Sequence, residues 1–207
     1  MSDTERSIGI MGGTFDPVHN AHLALARQAY EQFALEEIWM LPNGNPPHKR
    51  DRRQAPMECR MEMIRLAIRG IPYLRLCDAE QSGQDCHYTY ETLGLLKEQH
   101  PRTEFYFIMG ADSLFDFDKW KEPGIISQRC ILLAAMRDHC RREAIRERIR
   151  ELGERYGTRV RILNTPNMDI ASEDIRELLS GGSDISALVP AAVAEYIRRE
   201  RLYQRER

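Results

Sequence analysis

Two histidines, His19 and His22, stand three residues apart behind a pair of glycines, Gly12 and Gly13. The stretch reads Gly12-Gly13-Thr14-Phe15-Asp16-Pro17-Val18-His19-Asn20-Ala21-His22. Paired glycines let a backbone approach a ligand closely and adopt positive φ. A three-residue spacing puts both imidazoles on one face once a helix has begun. The chemistry on offer is the capture of an anion, most often a phosphate. It needs a strand that delivers the glycines and a helix that opens at the histidines. The helix N-terminus then adds unpaired N–H groups and partial positive charge.

The flanking sequence supplies both elements. Ile8-Gly9-Ile10-Met11 reads as a buried strand, and 21–35 reads as a helix with Leu25, Ala29 and Phe33 on one face. The glycines do not fit the dinucleotide spacing G-x-G-x-x-G, and no Gly-Lys-Ser/Thr follows as in a P-loop. An H-x-x-H pair can also ligate a metal, but that needs further ligands at fitting spacing, and none is evident. Isolated histidines at this position would read as helix caps. The glycines before them favour a ligand site.

The rest of the chain alternates strand with helix. The sequence predicts strands at 37–41, 73–77, 105–109, 130–135 and 160–163. Helices are predicted after Pro56, where Met57, Met61, Ile64 and Ile68 form a stripe, over 89–100, and around Ile145, Ile149, Leu152 and Tyr156. Such alternation predicts an α/β, doubly wound, mostly parallel sheet with helices on both faces. After about residue 168 the pattern is helical only, with Val193, Tyr196 and Ile197 forming an apolar face behind Pro190. The expected division is a Rossmann-like domain over 1–168 and a small C-terminal helical subdomain over 169–207. Asp112 follows a strand end, where open α/β sheets bind ligands.

Composition narrows the function classes. A formal charge of −2 gives no footprint for general nucleic-acid binding. The arginines of 141–155 are interleaved with Glu143, Glu147, Glu151 and Glu154, as on an ion-paired solvated face. The five cysteines are scattered and odd in number, which fits a reducing cytoplasm. No apolar run approaches membrane-spanning length. Homo-oligomerisation is left open by the sequence.

The first loop resembles the nucleotidyltransferase superfamily, and in the form GGTFDPVHNAH it resembles nicotinate-nucleotide adenylyltransferases. Further segments resemble that family in order. They are Pro46-Pro47-His48-Lys49, Arg60, Tyr88-Thr89-Tyr90-Glu91-Thr92-Leu93, Gly110-Ala111-Asp112 with Trp120, Ile170-Ala171-Ser172-Glu173-Asp174-Ile175-Arg176, and 189–203. The resemblance implies a Rossmann-like fold and adenylyl transfer from ATP to nicotinate mononucleotide, with Mg²⁺ accompanying ATP. It implies that His19, His22 and Arg176 act on the phosphates. Gly12, Gly13, Thr14, Phe15, Ser172 and Arg137 would bind ATP. Lys49, Tyr88, Thr89, Asp112 and Trp120 would bind the mononucleotide. Trp120 would stack on the pyridine ring, and the Thr89 N–H would meet the nicotinate carboxylate. Asp112 would either hold Mg²⁺ through water or bond a ribose hydroxyl. Glu91, Glu173, Asp174 and Asp138 depart from the family pattern. The alternatives are a different adenylyl- or cytidylyltransferase, a non-catalytic nucleotide sensor, or a metal hydrolase built on the two histidines.

Overall fold

The computed structural model describes residues 6–44, 54–80, 88–136, 142–165 and 170–204. The first half runs β1 (Arg6–Gly13), α1 (Asn20–Phe33), β2 (Glu37–Pro42), α2 (Met57–Ile68), β3 (Leu74–Leu76) and α3 (Thr89–Gln99). The second half runs β4 (Thr103–Gly110), α4 (Ala111–Phe115), α5 (Pro123–Arg129), β5 (Cys130–Met136), α6 (Arg142–Tyr156) and β6 (Val160–Asn164). Helices α7 (Ser172–Ser180) and α8 (Ala191–Arg199) follow. The strands and long helices expected from the apolar pattern are present, with ends shifted by a few residues. Helices α4 and α5, with a 3-10 turn at Phe117–Lys119 between them, were not expected. At five, three and seven residues they are too short to display a period.

Among the described residues the sheet has six strands in the order β3-β2-β1-β4-β5-β6. All neighbours are parallel. This is the expected α/β, Rossmann-like, doubly wound sheet. Alternate strand residues enter opposite cores. On one face Met11, Ile38, Met40, Ile108 and Leu133 pack with Ala26 and Ala29 of α1, Ile64 of α2, Ile175 of α7 and Ile197 of α8. On the other, Ile8, Ile10, Phe105 and Phe107 pack with Leu93 and Leu96 of α3, Ile126 of α5, and Ile145 and Leu152 of α6. Strand β5 is buried on both faces, which explains its unbroken apolar run, Cys-Ile-Leu-Leu-Ala-Ala-Met. Each fully buried aliphatic side chain contributes about 1.5–3 kcal/mol.

The topology creates the crevice. From β1 the chain moves outward through β2 to β3, then returns to β4 on the other flank of β1 and continues to β6. Connections leaving β1 and β4 therefore depart in opposite directions, which opens a gap above the carboxyl ends of those strands. No helix among the described residues is long and apolar enough to cross a membrane.

Candidate active site

A cleft of about 450 Å³ occupies that gap. Its floor is the carboxyl ends of the strands, with Met11 and Gly12 from β1, Leu41 from β2, Met109 and Gly110 from β4, and Ala135 from β5. Its walls include His19, His22 and Leu25 on one side, Thr89, Thr92 and Trp120 on another, and Ser172. Strand ends, the first helix, the third helix and the start of α7 thus meet around one space.

The glycines work by close approach. Both Gly12 and Gly13 lie within β1, and neither adopts positive φ. A Cβ on Gly12 would sit 3.2 Å from the Phe107 ring, and one on Gly13 would sit 3.1 Å from the Phe15 ring. The left-handed residue of the turn is Phe15, at φ 49°. The expectation of positive φ at the glycines is thus corrected: strand pairing holds them extended, and the reversal falls two residues later. Phe15 is buried and meets the His22 ring edge-on at 4.9 Å.

His19 is the N-cap of α1, and His22 is in its first turn. The His19 amide donates to His22 Nδ1 at 3.2 Å. The Asn20 amide donates to the Leu188 carbonyl at 2.9 Å. Two amides expected to face a ligand are therefore satisfied within the protein. The donors at this mouth are the rings themselves. A ring nitrogen that accepts carries no proton, so neutral His22 bears its hydrogen on Nε2. Its capping role accordingly fixes the tautomer that offers Nε2–H to a ligand.

The two rings stack with centroids 3.7 Å apart. Burial lowers the His19 pKa to about 4. Burial and repulsion from His19 hold His22 well below the ordinary histidine range. Both rings are neutral donors at neutral pH. His19 Nδ1 is buried without a hydrogen-bond partner.

The C-terminal residues reach the same loop. Ser172 Oγ donates to the Pro17 carbonyl at 3.0 Å, and Ser172 lines the cleft. The N-cap of α7 is Ala171 and not Ser172, so the serine hydroxyl serves the loop. Arg176 does not line the cleft. Its Nη1 donates to the Asp16 carbonyl at 2.6 Å and lies 3.8 Å from Asp16 Oδ2. Glu173 and Asp174 are exposed in the first turn of α7, where the helix dipole favours them.

On the opposite wall Thr89 is the first residue of α3, so its amide is one of those a helix leaves unpaired. Tyr88 is exposed, with the Lys121 ammonium 4.3 Å above its ring. Trp120 meets Phe107 edge-on at 5.8 Å. Asp112 is exposed between Gly110 and Ser113, both of which line the cleft. Thr14 does not line the cleft, and its carbonyl accepts from buried Arg60 at 2.8 Å. Lys49 and Arg137 fall outside the described residues.

Several groups had no signal in the spacing. Asp16 is fully buried, joined to Pro17 by a cis peptide bond. Its Oδ1 accepts from Tyr203 Oη at 2.6 Å and from the Ala55 amide at 3.1 Å. Arg60 donates to the carbonyls of Thr14, Asn43 and Ala55. Glu80 lines the cleft between Gly44 and Thr92. Asp16 and Arg60 stand in segments that carry the resemblance, but their partners, and the place of Glu80, come only from the three-dimensional convergence of distant segments.

The arrangement sets two neutral ring donors on one wall of the cleft and, on the other, the first amide of α3 beside the Trp120 ring. Residues 10–178 match the Cytidylyltransferase-like family. A protein of Lachnoclostridium phytofermentans named "Probable nicotinate-nucleotide adenylyltransferase" is 40% identical over 96% of this chain and 99% of its own length. One of the same name from Symbiobacterium thermophilum is 39% identical, over 96% of this chain and 95% of its own. The fold is also that of Plasmodium falciparum nicotinic acid mononucleotide adenylyltransferase complexed with NaAD. That structure has a TM-score of 0.79 at 24% identity, covering 96% of this chain and 97% of the other. With the family match spanning most of the chain and these relatives aligned along nearly its whole length, the chain belongs to the Cytidylyltransferase-like family and, within it, to the nicotinate-nucleotide adenylyltransferases.

Proposed function

We infer that the protein transfers the adenylyl group of ATP to nicotinate mononucleotide, giving nicotinate adenine dinucleotide and pyrophosphate, a step of NAD biosynthesis. The observation that carries this reading is the single cleft that brings the histidine pair to the same space as Thr89 and Trp120. Family membership supports it. In the reaction an oxygen of the mononucleotide phosphate forms a bond to the α-phosphorus of ATP. The bond from that phosphorus to the bridging oxygen of the β-phosphate breaks, and pyrophosphate leaves with the electron pair. A phosphate monoester has a second pKa of about 6, so the nucleophile is already an anion and needs no general base. Positioning and charge stabilisation remain as the protein's work.

His19 and His22 would donate to oxygens of the α-phosphate, where charge develops. Neutral rings suit this, because they donate without bringing a charge that burial would oppose. Gly12, Gly13, Thr14 and Phe15 shape the loop beside them, and Ser172 closes it. Arg176 would exchange the Asp16 carbonyl for a phosphate, a stronger acceptor for a guanidinium. Lys49 and Arg137 add positive charge in this reading. Trp120 would stack on the pyridine ring beside Tyr88. Among the described residues no three His, Cys, Asp or Glu form a metal cage. Asp112, exposed beside the cleft, would offer a carboxylate oxygen to Mg²⁺ that arrives on the triphosphate and keeps most of its waters. When bound, the ion would neutralise phosphate charge. Free Cys59, Cys77 and Cys130 fit a cytoplasmic setting.

The test is pyrophosphate release from ATP with a panel of phosphate-bearing acceptors. Nicotinate mononucleotide is expected to exceed nicotinamide mononucleotide at least tenfold in kcat/KM. A pocket of donors satisfies both oxygens of a carboxylate but leaves one donor unpaired against a carboxamide, at about 1–3 kcal/mol. Trp120→Ala should weaken both mononucleotides alike and leave their ratio nearly unchanged. Equal use of the two, or preference for a non-pyridine acceptor such as phosphopantetheine, would overturn the assignment.

A further inference from the structure

A carboxylate is out of place in the wall of a cleft built for two anions. At 4–6 Å a like charge disfavours binding unless its charge is already engaged. Glu80 lines the cleft nonetheless. Its two oxygens are divided between two segments that no other contact described above joins. Oε2 accepts from the Gly44 amide at 3.1 Å. Oε1 accepts from the Thr92 hydroxyl at 2.8 Å. Thr92 is buried on α3, one turn beyond Thr89, and lines the cleft itself. Gly44 is the second residue of the turn that follows β2.

The other side of that turn is also fixed. The Asn43 amide donates to the Gly13 carbonyl at 2.8 Å, and the Asn43 carbonyl accepts from Arg60 at 3.0 Å. The turn at 43–44 therefore spans from the glycine loop to α3, and Glu80 is its hold on α3. In sequence it opens the stretch that carries Lys49.

We propose that Glu80 is a positioning residue for the mononucleotide half of the site, clasping the turn after β2 to α3 so that the Thr89 end of that helix is set before substrate arrives. The proposal rests on the adenylyl-transfer reading of the cleft. It accounts for the carboxylate: both oxygens are engaged by donors and its charge is spent inside the protein. It also separates the substrates, because the bonds of the clasp go to Gly44 and to Thr92 on α3 and to neither histidine.

Steady-state kinetics on the full chain test it, with ATP and nicotinate mononucleotide varied separately. Glu80→Ala should raise the KM for the mononucleotide about tenfold or more, with the ATP KM and kcat changed by less than about threefold. Glu80→Gln should keep the mononucleotide KM within about threefold of wild type. Its carboxamide oxygen can still accept from Gly44 while its NH₂ donates to the Thr92 hydroxyl oxygen. Thr92→Val, which keeps the shape of the core, should raise the same KM and add little on top of Glu80→Ala. It also carries the test if Glu80→Ala does not fold. An equal rise in both KM values, an unchanged mononucleotide KM in a folded Glu80→Ala or Thr92→Val, or a Glu80→Gln as impaired as Glu80→Ala would overturn the clasp. Failure of the wild type to release pyrophosphate from this substrate pair would instead overturn the parent reading.

Discussion

His19 and His22 are kept neutral by their surroundings, and the same burial links stability to pH. Unfolded, each ring titrates near 6.5; folded, His19 titrates at about 4 and His22 is also lowered. Between those values the unfolded chain binds more protons than the folded chain. Unfolding free energy therefore holds steady above about pH 6.5 and falls as pH drops toward about 4. One ring contributes a slope of at most about 1.4 kcal/mol per pH unit. Urea unfolding between about pH 5 and pH 7 should show a shallower loss in His19→Gln than in wild type, and parallel slopes would place the titration elsewhere. For catalysis, His19→Ala should lower kcat about 100- to 1000-fold through loss of one donor to the developing charge. A folded variant that loses less than about fivefold would exclude His19 from the α-phosphate. The motif made this pair visible in the sequence. It did not reveal that His22 Nδ1 takes the His19 amide, because a ring's second hydrogen bond depends on backbone geometry. Asp16 stood in the same motif, but its role was hidden for a related reason: its partners Ala55 and Tyr203 are 39 and 187 residues away.

Strand β4 shows how well a buried element can be read. Its run Phe105-Tyr106-Phe107-Ile108-Met109 is apolar throughout and ends at Gly110. The stretch from Ala111 to Arg129 gave no helices in sequence, although Asp112 and Trp120 were named within it, because α4 and α5 are too short to repeat an apolar stripe. That silence concealed how α3 is held. Arg129, the last residue of α5, crosses α3 and donates to the Tyr90 carbonyl. It passes where a side chain would otherwise be: a Cβ on Gly94 would sit 2.6 Å from Arg129 Nη1. Glycine in mid-helix costs about 1 kcal/mol relative to alanine, so Gly94 trades propensity for this contact. Gly94→Ala should therefore stabilise the protein by about 1 kcal/mol in an Arg129→Ala background. In the wild-type background the displaced guanidinium should cancel or reverse that gain. Urea unfolding of the four proteins gives the coupling directly. An equal stabilising effect in both backgrounds would mean that Arg129 does not need the space.

Across the whole molecule, the C-terminal helices act as a strap over the histidine loop. Five contacts follow the loop in order: Tyr203 and Arg176 reach Asp16, Ser172 reaches Pro17, and the Leu188 and Ala187 carbonyls accept from Asn20. Each joins residues more than 150 positions apart. Meanwhile Ile175, Val193 and Ile197 enter the same core as α1 and α2. The apolar face of α8 was legible in sequence, but its partner was not, since an amphipathic stripe does not say which surface it covers. Tyr203 is the outermost fastening. Burial and the adjoining Asp16 carboxylate push its phenol far above the usual range, so it remains a donor at any working pH. Tyr203→Phe removes that donor and leaves a buried carboxylate with the Ala55 amide and a distant Arg176. The expected loss is about 1–3 kcal/mol of unfolding free energy. Turnover should fall as well, because Asp16 stands three residues before His19 and the same carboxylate neighbours Arg176. In an Asp16→Asn background the charge is gone, and the same tyrosine change should cost distinctly less. Denaturant titration and pyrophosphate release on both backgrounds decide the matter. Equal losses with and without the aspartate would show that the hydroxyl acts on something other than the loop.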